Sequence, residues 1–155
     1  MSKAINLSVL RELVRCYQAF ERASDAHVRR LGTTPAQFDI VVTLGNTPGM
    51  TFKELGERTL ITKGTLTGVV DRLADRGWVE RCDCPGDRRA TIVRLTPEGE
   101  RQFARIFEPH LAFMQPAFDA LSEADRVALS RRLRKLREAL DKRHDALDPP
   151  AAEAA

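Results

Sequence analysis

The stretch RCDCPGDRRATIVRLT, from Arg81 to Thr96, concentrates three kinds of chemistry in sixteen positions: two thiols, a tight turn and a cluster of arginines. Cys82 and Cys84 are two residues apart, so on a strand both thiols face one side with Cα atoms roughly 6.5 Å apart. That separation sits near the upper limit for a disulfide. A structural zinc ion needs four ligands, and no second Cys or His pair at finger spacing exists in the chain, so no metal site is assigned. The two thiols read as ordinary strand residues beside a turn. A redox role for Cys82 and Cys84 stays open as the alternative, because Arg81 and Arg88 can stabilise a thiolate. Arg88 and Arg89 follow the Cys84-Pro85-Gly86-Asp87 turn, where long cationic side chains project furthest and can neutralise phosphates or enter a narrow minor groove.

The rest of the chain offers no catalytic constellation. There is no Gly-rich phosphate loop, no nucleophile elbow and no metal triad, and the acidic residues fall mostly at helix caps or on helix surfaces. The chain therefore reads as a non-enzyme without a cofactor. His27 and His110 stand isolated and His144 lies in a charged terminal stretch, so all three read as solvated or core histidines. Cys16 reads as a buried or half-buried thiol.

Helices must position the arginine-bearing turn. From about residue 6 to 31, Leu10, Leu13, Val14, Tyr17 and Phe20 follow one helix face, and Gly32 ends it. Thr34-Pro35-Ala36-Gln37 has the form of a capping box with proline in the first turn, and Thr51 with Glu54 repeats the pattern for a short helix carrying Phe52 and Leu55. The next helix, from about Thr62 to Arg76, is the most regular: Leu66, Val69, Val70 and Leu73 form an inward stripe. Its other face, with Lys63, Gly64, Thr65, Thr67, Gly68, Asp71 and Arg72, is small or hydrogen-bonding. Gly77 stops it, and Trp78–Cys82 and Ala90–Leu95 read as the strands of a hairpin. Thr96-Pro97 starts a helix that Pro109 and Pro116 are expected to kink or interrupt. After a Ser122–Asp125 cap, Leu129, Leu133, Leu136 and Leu140 recur at spacings of four and three, a stripe that wants a partner helix. The arginines and lysine between them, residues 131–137, read as its solvated face. The tail after Asp148 is expected to fray.

The order of these elements is that of a winged helix-turn-helix. Thr62, Gly64, Thr65, Thr67 and Gly68 supply the short side chains that major-groove entry needs, and the helix N-terminus favours an anion. The expected fold is mainly α with a small β-hairpin, a winged helix-turn-helix over about 34–99 flanked by long helices at about 6–31 and 100–146. At 155 residues the chain has room for one domain, expected to span 1–148 with a flexible tail at 149–155. Lys and Arg number 25 against 22 Asp and Glu, so the net charge of +3 matters less than where the cations sit. Three cysteines suit a reducing compartment, and no stretch approaches 18 apolar residues, so the expected location is the cytoplasm, away from membranes.

These residues resemble the MarR-type transcriptional regulators. The wing motif of that family, Asp-x-Arg followed by Leu-Thr-x-x-Gly, is similar to Asp87-Arg88-Arg89 and Leu95-Thr96-Pro97-Glu98-Gly99, and ITKGTLTGVVDRLADRGWVER is similar to its recognition helix and the strand after it. The resemblance implies a triangular homodimer, intertwined through its terminal helices, on a pseudopalindromic double-stranded DNA operator. It implies that Asp87 orients Arg89, that Arg88 or Arg89 contacts DNA, and that Thr62, Lys63, Thr65, Thr67 and Arg72 meet bases and phosphates. It implies a repressor released by a small effector, often a phenolic or aromatic carboxylate, with Arg15, Tyr17 and His27 of the first helix as candidate pocket residues. Cys16 lies where peroxide-sensing members carry a reactive cysteine, although its neighbours do not match theirs. Two alternatives remain: a cysteine-based redox or metal sensor with DNA binding as output, drawing on Cys16, Cys82 and Cys84, and a helical protein-interaction module that never touches DNA.

Overall fold

Threonine hydroxyls set the starts of the first short helices. In the computed structural model, which describes residues 2–59, 61–84 and 87–147 (residues 2, 63, 84 and 87–90 as backbone only), a long first helix α1 (Ser2–Arg30) precedes α2 (Pro35–Leu44). Thr34 caps α2: its hydroxyl accepts from the Gln37 N–H at 3.3 Å while the Gln37 side chain accepts from the Thr34 N–H at 3.4 Å. Thr51 and Glu54 form the same reciprocal box at the start of α3 (Phe52–Arg58). Each cap is worth about 1 kcal/mol, enough to fix where a short helix begins.

The helix α4 (Lys63–Asp75) buries the expected stripe almost completely: Leu66, Val69, Val70 and Leu73 are 0–3% exposed. They pack with Ile40, Val41 and Leu44 of α2 and Leu55 of α3. Helix α4 ends in a Schellman motif: the Gly77 N–H donates to Ala74 O at 2.8 Å and the Trp78 N–H to Leu73 O at 2.9 Å, with Gly77 at φ +69°. Trp78 and Leu73 both enter the core, the apolar contact that usually accompanies this motif.

Strands β2 (Val79–Cys84) and β3 (Asp87–Leu95) pair antiparallel, as expected of the hairpin. The sequence did not signal a third strand, β1 (Met50–Thr51), which pairs Met50 with Val93 and gives the order β1-β3-β2. The Pro85-Gly86 turn expected between β2 and β3 lies outside the described residues. The register shifts between Asp83 and Cys84, where β3 advances from Thr91 to Asp87 against a single step of β2, and the side chain of Cys84 lies outside the described residues.

Helix α5 (Pro97–Phe118) starts on Thr96, whose hydroxyl accepts from the Gly99 N–H at 3.0 Å and donates to Gly77 O at 2.6 Å. One side chain thus joins the end of α4 to the start of α5. The helix runs through Pro109 and Pro116 without interruption, a correction to the sequence reading. Each proline removes one N–H from the ladder, and the flanking bonds with burial of Ile106 and His110 outweigh that loss. Two compact units result, residues 1–113 and 114–155. The second holds α6 (Glu123–Leu147), capped by the Ser122 hydroxyl on the Asp125 N–H at 3.2 Å and without a buried residue.

His27 and His110 are not isolated, as their positions in the sequence had implied. Their Nδ1 atoms lie 3.1 Å apart, the His110 Nε2 is 3.3 Å from the Ser24 hydroxyl, and His27 stacks on Phe113 with centroids 4.1 Å apart. One Nδ1 must donate and the other accept, so a proton on both rings would remove the bond. Burial, and then the nearby His27, push the His110 imidazole below its ordinary 6.5.

Two outcomes are expected. Gly99→Ala would place a Cβ 1.9 Å from Trp78 O, a backbone atom that cannot swing away, whereas at Gly64 an added Cβ meets nothing within 4 Å. Urea denaturation should therefore show a loss of about 2 kcal/mol for Gly99→Ala and none for Gly64→Ala. The second follows from linkage. Above about pH 6.5 neither folded nor unfolded His110 binds a proton and its contribution is complete; below it the unfolded chain takes up a proton first, so stability falls with pH through the lower folded value. Denaturation between pH 7.5 and 5.5 should show that decline and His110→Phe should flatten it, since Glu54 and Glu98, held low by hydrogen bonds, matter only below about 4.5.

Candidate nucleic-acid interface

Burying the stripe of α4 decides what it shows to solvent. Thr62, Gly64, Thr65, Thr67 and Arg72 are exposed and Gly68 is half-buried, so these expected DNA contacts lie together on one face. Thr62 is the N-cap residue by position, yet its hydroxyl lies 3.0 Å from that of Thr65 and makes no cap bond. The first-turn N–H groups of α4 therefore have no side-chain cap from Thr62, and an N-terminus in that state suits a phosphate oxygen. Lys63 belongs to the same turn, but its side chain lies outside the described residues.

Polar ties brace this face. The Arg76 guanidinium stacks 3.7 Å over the Trp78 ring and donates to the Gln37 Oε1 at 3.1 Å, and Gln37, itself buried, also accepts from the Thr33 hydroxyl. One amide oxygen thus connects the end of α4 to the start of α2. Arg81 of β2 pairs with Asp71 of α4 and lies 5.4 Å from the Phe52 ring, which fixes the hairpin against the helix. Arg94 pairs with Glu80 across the strands at 2.7 Å. Both ion pairs are substantially exposed and worth at most about 1 kcal/mol, so they set orientation more than stability. The sequence reading assigned none of these partners. Gln37 and Arg76 are 39 residues apart, and the only local sign was a glutamine already spent on a cap.

The backbone of Asp87, Arg88 and Arg89 opens β3 beside the far end of β2, while their side chains, with that of Cys84, lie outside the described residues. Cys82 is half-buried, and Cys16 is exposed on α1 rather than buried as expected, because its helix face meets no other element there. Among the described residues no group of three or more His, Cys, Asp or Glu could hold a metal ion, and no helix is long and apolar enough to cross a membrane.

A cavity of about 530 Å³ opens between α1, α2 and the head of α4. Tyr17, Phe20 and Phe38 line it, and Thr62 and Thr65 form part of its wall, so it reaches the first turn of the exposed face. Of the three expected pocket residues only Tyr17 is there. Arg15 pairs with Glu12 at 3.4 Å in solvent, and His27 is engaged with His110 and Phe113.

Comparison with known proteins agrees with this geometry. Residues 31–90, which span α2 through the start of β3, match the family model described as MarR family. The chain is 27% identical over 123 residues to the HTH-type transcriptional regulator MhqR of Bacillus subtilis, covering 79% of this chain and 83% of that protein. Among solved structures it is similar to Sco3205, a MarR family transcriptional regulator from Streptomyces coelicolor in complex with DNA, with 29% identity, a TM-score of 0.77 and 88% of each chain covered. It is also similar to Bordetella bronchiseptica BpsR, whose DNA binding is regulated by 6-hydroxynicotinic acid, with 28% identity, a TM-score of 0.69, and 84% and 98% of the two chains covered. Its two-helix unit, its β2–β3 wing and its flanking helices stand in the order of these MarR family winged helix-turn-helix regulators, and residues 31–90 carry the match to the family itself.

Proposed function

We propose that this regulator is a homodimeric repressor that grips a pseudopalindromic operator and lets go when a small ligand occupies the cavity beside α4. The observation that carries the reading is the division of α4 into a fully buried stripe and an exposed face of threonines and glycines. On this reading Thr62, Lys63, Gly64, Thr65, Thr67, Gly68 and Arg72 approach bases and phosphates in the major groove. Asp87 orients Arg89 by a charge-assisted bond, and Arg88 or Arg89 reaches phosphates or the minor groove. Residues 1–148 act as one regulatory domain in the cytoplasm, with no catalytic step.

Exposed apolar side chains support the dimer. Ile5, Leu10, Val14 and Phe20 on α1 are each more than 40% exposed, as are Leu129, Leu133 and Leu140 on α6. Contiguous apolar faces of that kind mark association surfaces. Two copies related by a two-fold axis would place their α4 helices about 34 Å apart, one turn of DNA. The cavity supports ligand control, because an occupant would touch Thr62 and Thr65. By linkage, a ligand that prefers the DNA-incompetent spacing weakens DNA, and DNA weakens it equally.

Titration into the protein's own upstream DNA at 50 and 200 mM salt checks the reading. Six or more phosphate contacts should lower affinity on the order of 1000-fold across that range, and a flat response would rule out the phosphate-gripping model. Arg89→Ala should cost roughly tenfold in affinity while sedimentation still shows the dimer. Running the same shift with and without reductant tests the exposed Cys16: binding lost on oxidation would make the cysteine-sensor alternative the better reading.

A further inference from the structure

The buried amide of Gln37 reaches beyond its own helix. We propose that Gln37 is a positioning residue for DNA binding: through Arg76 it sets where the end of α4 lies against α2, and with it where the β2–β3 hairpin departs. The inference rests on the DNA-binding reading above and leaves the ligand aside.

Gln37 is 7% exposed, so it is out of reach of a nucleic acid. Its Oε1 accepts from three donors: the Thr34 N–H at 3.4 Å, the Thr33 hydroxyl at 3.2 Å and the Arg76 Nη1 at 3.1 Å. The first two are local, and the Thr34 bond completes the capping box of α2. The third crosses 39 positions to the C-cap residue of α4. A cap alone does not need it.

The Arg76 guanidinium is held from a second side as well. It lies 3.7 Å over the ring of Trp78, which is buried and directly precedes β2. The Trp78 carbonyl in turn accepts from the Thr96 N–H at 3.0 Å, just beyond the end of β3. The start of α2, the end of α4 and the base of the hairpin therefore meet around one guanidinium.

Apolar burial does not supply this setting by itself. The stripe of Leu66, Val69, Val70 and Leu73 decides which face of α4 turns inward, but apolar contact is non-directional and resists a small tilt only weakly. A hydrogen bond weakens steeply with misalignment, so the Gln37–Arg76 bond fixes the direction. Contacts to bases and phosphates are equally demanding in geometry, and a tilt at the hairpin end of α4 moves helix and wing against the DNA together.

The test measures affinity for the protein's own upstream DNA over a range of salt, with concentration counted as folded protein by circular dichroism. Gln37→Met removes the acceptor at similar volume. Arg76→Met removes the bond to α2 and leaves the α2 cap in place. Each should lower affinity roughly fivefold or more, and the double variant should lose no more than about twofold beyond the larger single loss, because both cut the same bond. The slope of log affinity against log salt should stay unchanged in all three. Gln37→Glu keeps an acceptor facing Arg76 and should remain within about threefold of the unsubstituted protein. Lower stability with undiminished affinity in Gln37→Met, single losses that multiply in the double variant, or a Gln37→Glu loss equal to that of Gln37→Met overturns the inference. A slope shallower by about one for Arg76→Met also overturns it, since Arg76 would then be a phosphate contact in its own right. Should Gln37→Met fail to fold, Arg76→Met and Gln37→Glu, which retain the cap, decide the matter. Unsubstituted protein that does not bind the DNA removes both readings, whereas binding that these variants leave undisturbed removes this one alone.

Discussion

Burial of one stripe on α4 is the constraint from which the rest of the interface follows. Four side chains, Leu66, Val69, Val70 and Leu73, are removed almost wholly from water. At about 2 kcal/mol each that is roughly 8 kcal/mol, comparable with the net stability of a typical domain. A rotation of the helix by one residue would expose part of that stripe and bury Thr67 or Asp71 without partners. The outward face is therefore fixed as firmly as the inward one, and its threonines and glycines can be small because they have no packing to do. The positions proposed to meet DNA are those that the core leaves free.

The stretch from Leu95 to Gly99 shows the converse, a motif whose residues serve packing. Thr96 bonds both Gly77 O and the Gly99 N–H, and Gly99 leaves room for Trp78 O at a point where any Cβ would collide. These atoms hold the last turn of α4, the first residue of the β2 strand path and the first turn of α5 in one knot. The half of the wing motif that lies after the strand therefore serves packing, tying the hairpin to the end of α4; on the proposed reading its effect on DNA is indirect. The Arg81–Asp71 pair repeats that role from the outer side. Together they make the helix and the hairpin one rigid surface.

Features governed by local chemistry were legible in the sequence. Two capping boxes, the α4 stripe, the glycine stop at 77 and the Thr96-Pro97 start each depend on residues within four positions of one another, and each stands where its spacing placed it. What failed depended on distance. The two residues of β1 have no pattern of their own and become a strand only because β3 is long enough to pair on both sides. His27 and His110 meet across 83 positions, and the sole hint was a polar residue on the Phe103–Ile106–Phe113 side of α5. Pro109 and Pro116 read as breakers because propensity is local, whereas the cost of one missing hydrogen bond is set against the packing of a 22-residue helix. The cavity was invisible for the same reason, since Glu21, Asp25 and Asp39 look like helix-surface charges until α1 and α2 are brought together.

The first turn of α4 is where opposing demands meet. Its outer side offers N–H groups and the positive end of a helix dipole to phosphate, and its inner side closes a cavity whose other walls carry three carboxylates. On the repressor reading proposed above, release comes from geometry: an occupant between α1, α2 and Thr62–Thr65 would displace α4 from the spacing that the operator requires. An interface one helical turn wide tolerates little such displacement, because a shift of 1–2 Å at each half-site takes every hydrogen bond there out of range at once. The braces at Gln37, Asp71 and Thr96 matter to that reading because they tie α4 to α2, to the hairpin and to α5, so that a displacement of the helix carries its neighbours with it.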